Sequence, residues 1–524
     1  MDCIGTETLR TFLEFRARTY QEKECLVFEN KDGHVIRYTY RQLDEYATRY
    51  AGLLFSKGIR HGDKVVVHLR NCPEFLFSWF GLAKIGAVMV PTNVLSTAPE
   101  LEHFINYSDA VAVITEPDYA TLVREVRPKC PKLRELFLVR TVSWYPTAQL
   151  FPDMTLLHDP GADIPQLPSI PLHTEDDALI IFSGNTLARN SAVLLTHANA
   201  LFAGIFGAQA MKVVPEDRHF IVLPLFHVNG LFISCMPVLT AGATLIITEQ
   251  FSASRYMEQV RRYEVTTSSL VGATVRMLLN QPPHELDSCN KLRLIAFAIP
   301  ISDEEWERFE QRFHVRLCDL WGMTETLGAT TINPIDGKFK RNCQGLPRLG
   351  NEVKIVDEQG HEQPPGTPGE IVVKGIPGRT IMKGYYKEPD TTQAVMRDGW
   401  LHTGDLGVMD EEGYFYFRGR IKDVIKRAGE NVASPEVEQV LAQHPFVKEA
   451  AVVSMPDPVR DEAVAAFVVL HEGEECTAEQ LIAWCSERLA KFKVPSRILF
   501  RNSLPRNADG TVRKDILRRE LSAA

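Results

Sequence analysis

The chain has 524 residues, 45% of them hydrophobic and 24% charged, with a formal net charge of −9. A chain of this length can bury a large core and predicts two structural domains, while the acidic balance argues against a nucleic-acid partner. Ten cysteines lie between Cys3 and Cys485 without a Cys-x-x-Cys pair, which argues against a zinc or disulfide framework and favours a reducing cytoplasm.

The N-terminal seven residues lack the basic and apolar regions of a signal peptide. The most apolar stretch, residues 220–248, is interrupted by Pro224, Gly230, Pro237 and Gly242. Such interruptions favour buried strands and short helices over a membrane span. We therefore expect no integral membrane association.

Short apolar runs rich in β-branched residues alternate with longer helical patterns. Residues 64–69 and 110–115 are typical of buried strands, whereas residues 254–263 have a helical period. A turn at 364–369 precedes a further short strand at 370–375. This alternation predicts an α/β fold of mixed sheets covered by helices.

Four short motifs follow one another in the second half of the chain. Residues 321–325 read Trp-Gly-Met-Thr-Glu, 400–405 read Trp-Leu-His-Thr-Gly-Asp, 419–423 read Gly-Arg-Ile-Lys-Asp and 428–431 read Ala-Gly-Glu-Asn. In this order they resemble the adenylate-forming superfamily of acyl-CoA ligases, peptide-synthetase adenylation domains and luciferases. The carnitine/crotonobetaine–CoA ligase branch is nearest, and the resemblance runs from about residue 30 to the last helix.

The resemblance implies two half-reactions and two domains. A carboxylate attacks the ATP α-phosphate to give an acyl-adenylate and pyrophosphate, and the CoA thiol then attacks the acyl carbon and expels AMP. We expect a large N-terminal domain of helix-covered mixed sheets at residues 1–420, which binds the acyl group and the adenylate. A small, mobile α+β domain at 421–524 would rotate between the steps and carry the thioesterification face and the CoA tunnel.

The groups that bind the AMP half are retained. In the family, the ring at Trp321 stacks beside adenine, Thr324 contacts the α-phosphate and Glu325 holds Mg²⁺. Asp405 matches the carboxylate that accepts both ribose hydroxyls. The adenylate-binding residues implied by the resemblance are Ala298, Ile299, Pro300, Trp321, Gly322, Met323, Thr324, Asp405 and Arg420. The requirement for Mg²⁺ at Glu325 stays open, because the pyrophosphate that the ion helps to hold is absent from the second step.

The thioesterification face is also retained. His227 matches the family position beside the substrate carboxyl group, and Lys422 matches the hinge. Residues 428–431 match the loop that lines the pantetheine tunnel after rotation, where a glycine avoids narrowing the tunnel. The resemblance therefore implies His227, Lys422 and Gly429 as catalytic, and it assigns to the CoA tunnel Ala428, Gly429, Glu430 and Asn431.

Two lysines needed for adenylation are missing. When the family pattern is counted back without a gap from Thr196-His197, its phosphate loop falls on residues 183–192. Thr186 is retained there. Asn185 stands in place of a glycine, Asn190 in place of the proline and Ser191 in place of the lysine. Such loops bind phosphate through glycine-rich backbone amides and a cation. Near the C-terminus, Thr511 occupies the position of the catalytic lysine. Losing both cations should nearly silence adenylation.

The losses fall on groups that serve ATP and pyrophosphate. We therefore predict an enzyme that transfers an acyl group from a preformed acyl-adenylate to CoA and depends on a separate adenylating ligase, as in a specialised biosynthetic pathway. Two alternatives stay open: a complete ATP-dependent ligase in which Arg189, Arg513 or Lys514 replaces the lost cations, and a non-catalytic adenylate or acid binder. Single residues also have purely structural alternatives. His227 would then be a core histidine, Trp321 a packing aromatic residue and Arg420 a member of a surface ion pair.

The acid is set by a pocket that we expect to be lined by residues 223–236, 269–277 and 296–300. Gly230, Gly272 and Ala273 suggest room for a bulky apolar acyl group.

Overall fold

Strands and helices alternate along the chain, and the predicted α/β class is confirmed. A computed structural model describes residues 4–139, 151–157, 167–183, 192–298, 301–427, 430–457, 461–507 and 511–523. The chain forms two compact units, a larger one of Met1–Glu352 and Lys374–Leu401 and a smaller one of Val353–Val373 and His402–Ala524. The boundary predicted at residue 420 concerns a mobile domain and stays a prediction.

The elements up to residue 157 are α1 (Leu9–Tyr20), β1 (Glu24–Glu29), β2 (Val35–Thr39), α2 (Tyr40–Ser56), β3 (Lys64–His68), α3 (Pro73–Lys84), β4 (Val88–Pro91), α4 (Ala98–Tyr107), β5 (Ala110–Thr115), α5 (Pro117–Val126), β6 (Glu135–Val139) and β7 (Thr155–Leu157). The elements up to residue 347 are β8 (Asp177–Phe182), β9 (Ala192–Thr196), α6 (His197–Ala210), β10 (Arg218–Ile221), α7 (Met236–Ala241), β11 (Thr244–Thr248), α8 (Ala253–Arg262), β12 (Thr267–Val271), α9 (Gly272–Leu279), β13 (Leu294–Ala298), α10 (Asp303–Phe313), β14 (Arg316–Trp321), β15 (Thr331–Ile332) and β16 (Leu346–Pro347). The remaining elements are β17 (Glu352–Val356), β18 (Gly369–Lys374), β19 (Gly384–Tyr385), α11 (Pro389–Val395), β20 (Met396–Arg397), β21 (Trp400–Met409), β22 (Phe415–Arg420), β23 (Val424–Arg427), β24 (Glu430–Ala433), α12 (Ser434–Ala442), β25 (Val447–Asp457), β26 (Asp461–Leu470), α13 (Ala478–Ser486), β27 (Arg497–Phe500) and α14 (Lys514–Ala523).

Two large sheets form the framework of the larger unit. One has nine strands in the order β16-β15-β14-β13-β12-β10-β11-β1-β2, and the other has eight in the order β19-β9-β8-β4-β3-β5-β6-β7. In the first sheet β10, β12, β13 and β14 are parallel neighbours. Parallel strands of this kind are usually covered on both faces. On one face, Tyr256 of α8 and Trp306 of α10 belong to a buried apolar cluster that includes Phe297 of β13.

The smaller unit contains a sheet in the order β24-β23-β26-β25, with β27 paired to β26. Leu441 and Leu481, from α12 and α13, pack on one face of this sheet. Leu517 and Leu521 of α14 pack on the other. Strands β17, β18 and β21 also lie side by side, and β22 pairs with β21. Among the described residues of both units, no helix is long and apolar enough to cross a membrane.

Asp319 of β14 is a buried carboxyl in the core of the nine-stranded sheet. Its Oδ2 accepts a hydrogen bond of 2.6 Å from Gln344 Nε2, and burial raises its pKa from 3.8 to about 7. Between these values the folded chain binds more protons than the unfolded chain. The stabilisation from protonated Asp319 is therefore complete below pH 3.8 and is lost as the pH rises through about 7.

Replacing Asp319 with asparagine should remove this pH dependence, because the amide does not titrate. The free energy of unfolding of the parent should fall by about 3 kcal/mol between pH 5 and pH 8 because of Asp319, and that of the Asp319→Asn variant should lack this fall. Urea unfolding at the two pH values measures the change. Asp32→Asn, at an exposed carboxylate, is the control and should leave the pH dependence unaltered. An equal pH dependence in Asp319→Asn and the parent would contradict the prediction.

Candidate active site

Most of the candidate site in the larger unit lies at one edge of the nine-stranded sheet. His227 follows β10, Ala298 ends β13, and Trp321 ends β14 and is followed by the turn that carries Glu325. Because β10, β12, β13 and β14 are parallel neighbours, their carboxyl ends share an edge, which is where open α/β sheets bind ligands. The structure thus brings together residues from positions 227 to 325 of the chain. Ile299 and Pro300 lie outside the described residues.

The loop after β14 requires a glycine at position 322. A β-carbon on Gly322 would lie 1.5 Å from the carbonyl oxygen of Gly328. The Trp321 carbonyl accepts a hydrogen bond of 2.8 Å from the Thr330 amide, and the Met323 amide donates to Thr326 Oγ1 at 3.0 Å. These contacts fold the loop tightly back on itself and fix the backbone of the predicted adenine and α-phosphate residues.

Glu325 is fully buried in a single 3₁₀ turn, Thr324–Thr326. Tyr385 Oη donates a hydrogen bond of 2.9 Å to Glu325 Oε1, and the Glu325 carbonyl accepts one of 2.8 Å from the Met382 amide. Burial, together with the Glu325 charge, raises the pKa of Tyr385, so its hydroxyl stays a donor. The turn is therefore held by the segment around β19, about sixty residues further along the chain.

The predicted phosphate loop begins at this carboxylate. Ser183, which is buried and is the first residue of the predicted loop, places its Oγ 3.5 Å from Glu325 Oε1. Asn185, Thr186 and Ser191 lie outside the described residues, and β9 begins at Ala192. The two ends of the loop therefore lie in one sheet, since β8 and β9 pair.

Sequence reasoning missed two residues that support the Glu325 turn, Tyr385 and Arg348. The Arg348 guanidinium is buried, donates a hydrogen bond of 3.0 Å to the Thr326 carbonyl and stacks on Phe202 with its Cζ 4.7 Å from the ring centroid. Burial lowers the pKa of Arg348 to about 9. Neither residue lies in a recognised motif, so the single sequence carries no signal for them.

Removing the Tyr385 hydroxyl should destabilise the larger unit, because a buried carboxylate loses a donor. For Tyr385→Phe we expect the free energy of unfolding to fall by about 1–3 kcal/mol in urea titrations. The adjacent Tyr386→Phe is the matched control, because its hydroxyl makes only a part-buried 3.4 Å contact with Asp109; its effect should stay below about 0.5 kcal/mol. Equal losses in the two variants would contradict the assignment.

His227 lies in a partly exposed segment between β10 and a wide helical turn of the π type, Asn229–Cys235. Its ring centroid is 4.4 Å from that of Phe226. Its amide donates to the Pro224 carbonyl at 3.3 Å, and its carbonyl accepts from the Leu231 amide at 3.2 Å. The backbone is thus fixed, and the residue is partly exposed although its imidazole Nε2 is buried.

Gly230 does not provide room for a bulky acyl group, and that expectation was wrong. A β-carbon on Gly230 would lie 2.6 Å from the Pro224 carbonyl oxygen and 2.9 Å from the Cα of Leu225. The space beside this glycine is therefore filled by backbone. The glycine is needed for the close turn that holds His227.

In the smaller unit, Asp405 and Arg420 face each other across the hairpin of β21 and β22. They are register partners, and Arg420 Nε lies 3.5 Å from Asp405 Oδ1. The Asp405 amide donates to Thr403 Oγ1 at 3.1 Å. Asp405 is largely buried whereas the Arg420 side chain is 36% exposed. The pair presents a fixed carboxylate beside an accessible cation, as the resemblance implies for ribose binding.

The remaining predicted residues of this unit are described only in part. Lys422 lies in a short 3₁₀ turn, Ile421–Asp423. Glu430 and Asn431 begin β24, which pairs with β23. Ala428 and Gly429 lie outside the described residues.

Thr511 closes a turn with Asn507. The Asn507 amide donates to the Thr511 carbonyl at 2.8 Å, and Asn507 Nδ2 donates to Thr511 Oγ1 at 2.9 Å. Arg506 and Val512 form an antiparallel bridge on the same turn. Threonine at this position is thus bound within its own turn.

A basic cavity of about 580 Å³ lies elsewhere in the smaller unit. Its lining residues are Arg427, Ser486, Lys491, Val494, Pro495 and Ser496. Arg427 Nη1 donates to the carbonyls of Phe492 and Val494 at 2.8 and 2.9 Å. Two cations and two hydroxyls in one open cavity suit an anionic ligand.

Comparison with known proteins identifies the family of this chain. The family model of AMP-binding enzymes matches residues 13–386, and the model of the AMP-binding enzyme C-terminal domain matches residues 436–511. The crotonobetaine/carnitine–CoA ligase of Proteus mirabilis is 39% identical over 516 residues, which cover 98% of this chain and 99% of that protein. The ligase of the same name from Salmonella agona is 38% identical over 530 residues, which cover 99% of this chain and 100% of that protein.

Among solved structures, ATP-bound MatB from Rhodopseudomonas palustris matches with a TM-score of 0.86 and 27% identity, over 98% of this chain and 99% of that chain. The family models, the relatives and the solved structure all match this chain, and together they cover nearly its whole length. The chain therefore belongs to the AMP-binding enzymes of the adenylate-forming superfamily, among the acyl-CoA ligases and near the crotonobetaine/carnitine–CoA ligases.

Proposed function

We propose that this acyl-CoA ligase catalyses mainly the second half-reaction of its family, the transfer of an acyl group from a preformed acyl-adenylate to CoA. The observation that carries the proposal is Thr511 at the position of the catalytic lysine, bound within its own turn by Asn507. A threonine there has neither the length nor the charge to bridge a carboxylate and an α-phosphate.

The cations next to Thr511 are engaged elsewhere. Lys514 Nζ lies 2.8 Å from Ser434 Oγ and 2.6 Å from Glu438 Oε1, and its side chain is only 15% exposed. Arg513 pairs with Asp515 at 3.3 Å on the surface. The Lys514 contacts fasten α14 to α12, so using Lys514 in adenylation would break a half-buried ion pair. This argues against the alternative of a complete ligase that has shifted its cation by a few residues.

The retained groups that the family uses to bind an acyl-adenylate support the proposal. Trp321 and the Glu325 turn lie at the sheet edge with His227, and Asp405 and Arg420 form their pair in the smaller unit. Glu325 offers Mg²⁺ a single buried carboxylate. Mg²⁺ in proteins is usually bound by one or two carboxylates together with substrate phosphates, so Glu325 fits only one part of such a site. Glu325 would hold such an ion, which would neutralise phosphate charge.

In the proposed reaction, the CoA sulfur forms a bond to the acyl carbon while the bond from that carbon to the AMP phosphate oxygen breaks. AMP leaves with the bonding electron pair, and the thiol proton passes to solvent. His227 orients the acyl group and polarises its carbonyl. Gly429 keeps the pantetheine tunnel open, with Ala428, Glu430 and Asn431 beside it, and Lys422 marks the hinge.

The proposal requires a separate adenylating ligase that supplies the acyl-adenylate, and it suits a specialised biosynthetic pathway with duplicated ligases. It places the enzyme in the cytoplasm. The cysteines described are free thiols, most of them buried, which favours a reducing compartment.

Two other functions compete. A complete ATP-dependent ligase is favoured by the ATP-bound state of MatB, whose fold this chain shares. A non-catalytic adenylate or acid binder would have no use for an open pantetheine tunnel or a hinge, so the retained Gly429 and Lys422 argue against it.

The test compares two reactions of the purified chain across short and bulky acyl groups. One contains acid, ATP and CoA, and the other contains synthetic acyl-adenylate and CoA. Thioester from the adenylate alone is the expected result. Thioester at similar rates from both would mean a complete ligase, and AMP release that does not depend on CoA would mean an adenylate hydrolase. No turnover in either reaction would favour the binder.

A further inference from the structure

A row of small side chains crosses three strands below the π-type turn. Ser269 of β12 is the register partner of Ala296 of β13, which is the partner of Cys318 of β14. Ile233 belongs to the same apolar cluster as Ala296 and Cys318. Neighbouring residues of these strands, such as Phe297, belong instead to the cluster around Trp306. Since side chains alternate along a strand, the row lies on the face opposite α8 and α10.

Ser269 of this row forms a hydrogen-bonded polar pair with Asn229. Ser269 Oγ donates a hydrogen bond of 2.9 Å to Asn229 Oδ1. Ser269 is 2% exposed, whereas Asn229 is partly exposed and lies two residues after His227. The pair therefore joins two of the segments expected to line the acyl pocket, 223–236 and 269–277, close to the residue assigned to the acyl carboxyl group.

These segments contain no acidic residue. Residues 223–236, 269–277 and 296–300 include neither aspartate nor glutamate. Their one arginine, Arg276, lies at the surface and pairs with Glu305 at 2.7 Å. Asp319, on β14, is the register partner of Phe297 and so lies on the opposite face, while Glu325 is engaged by Tyr385 at the nucleotide end. The segments expected to line the acyl pocket therefore supply no carboxylate of their own beside the Asn229–Ser269 pair.

The rings of these segments are used in packing. Phe226 packs on His227 with centroids 4.4 Å apart, and Phe297 packs on Trp306 at 5.0 Å. Phe232 is 1% exposed. Among the described residues, these rings do not form an aromatic cage beside Asn229.

Crotonobetaine and carnitine, named in the ligases of Proteus and Salmonella, both carry a trimethylammonium group. Burying such a cation requires a carboxylate or the faces of several aromatic rings. We propose that the acyl pocket of this chain accepts acyl groups without charge and rejects quaternary ammonium acyl groups, with Asn229 and Ser269 as the residues that set this specificity. The inference rests on the proposed function, because it takes the acyl-adenylate as the bound form.

The test uses three sulfamoyl-adenosine analogues of acyl-adenylates, which bind but do not react. The first carries the crotonobetaine acyl group, the second its neutral isostere with carbon in place of the ammonium nitrogen, and the third an acetyl group. The first two differ by one charge at constant shape. Titration calorimetry on the full chain should show the neutral isostere binding at least about 100-fold more tightly than the betaine.

The acetyl analogue separates failure of the inference from failure of the proposed function. If the acetyl analogue binds and the betaine analogue binds as tightly as the neutral isostere or more tightly, the proposed specificity is wrong and the proposed adenylate site is retained. If the acetyl analogue binds and neither larger analogue does, the neutral pocket is also wrong. If none of the three binds, the adenylate site itself is wrong and the inference falls with it.

Asn229→Asp adds a carboxylate of nearly the same shape and still accepts the Ser269 hydrogen bond. The ratio of betaine to neutral affinity should rise by about 10-fold or more. Asn502→Asp, at an exposed position of the smaller unit, adds the same charge and should leave the ratio unchanged. An unchanged ratio in Asn229→Asp, with the fold retained by thermal unfolding, would overturn the assignment of Asn229.

Discussion

Replacing Thr511 with lysine is expected to raise the rate of acid-dependent ATP–pyrophosphate exchange by about 100-fold. The substitution returns a cation that neutralises charge between the substrate carboxylate and the α-phosphate in the transition state. It removes one side-chain hydrogen bond, from Asn507 to Thr511 Oγ1, and keeps the main-chain bond that closes the turn. The acid to use is the one whose synthetic adenylate the parent converts with CoA.

Thr511→Gln is the control, because glutamine extends the side chain without charge and should not raise exchange. Combining Thr511→Lys with Ser191→Lys, Asn190→Pro and Asn185→Gly should raise the rate further, since the β- and γ-phosphates regain their cation and backbone donors. If the fourfold variant folds, converts the adenylate and still shows no exchange, then either the alignment of these positions or the assignment of the lost step is wrong.

Replacing Asp405 with asparagine is expected to weaken binding of an acyl-adenylate analogue by about 100-fold. A carboxylate that accepts two ribose hydroxyls makes charge-assisted hydrogen bonds worth about 1.5–3 kcal/mol each. The amide keeps one acceptor and loses the charge, so the contact with Arg420 at 3.5 Å is no longer an ion pair. Calorimetry with the acetyl sulfamoyl-adenosine probe measures the affinity, and thioester formation should fall in parallel.

Asp410→Asn is the matched control for this prediction. Asp410 lies beyond the other end of the same hairpin, where it accepts hydrogen bonds from the Tyr414 amide at 3.0 Å and Tyr416 Oη at 3.1 Å. Its loss should leave affinity for the probe unchanged. Equal weakening in the two variants would point to damage of the hairpin, and unchanged affinity in Asp405→Asn would remove Asp405 from the ribose site.

Local sequence patterns predicted the framework well. The apolar runs at 64–69 and 110–115 are β3 and β5, and the helical pattern at 254–263 is α8 within one residue at each end. Their periods are set by neighbours in sequence and by burial on known faces. The motif residues at 321–325 lie at the carboxyl end of a parallel strand, which is the edge where open α/β sheets bind ligands.

Contacts between distant segments were not predictable in this way. Tyr385 reaches Glu325, and Arg348 reaches Thr326, because β19 and the loop after β16 return to the same edge of the fold. Gly230 looked like space for a ligand, but Pro224 and Leu225 fill it. A glycine in a sequence marks a place without a side chain, and only the fold decides whether backbone or ligand occupies that place.

The tether between the Glu325 turn and β19 also constrains the phosphate loop. Ser183 contacts Glu325 at the start of the loop, and the Lys383 amide donates to Leu194 at 2.9 Å just after its end. The same short segment, 382–385, therefore fixes the Glu325 turn and the strand into which the loop runs. Substitutions within the loop leave these anchors in place, so a loop of the same length with restored phosphate-binding residues would start and end on the same two paired strands.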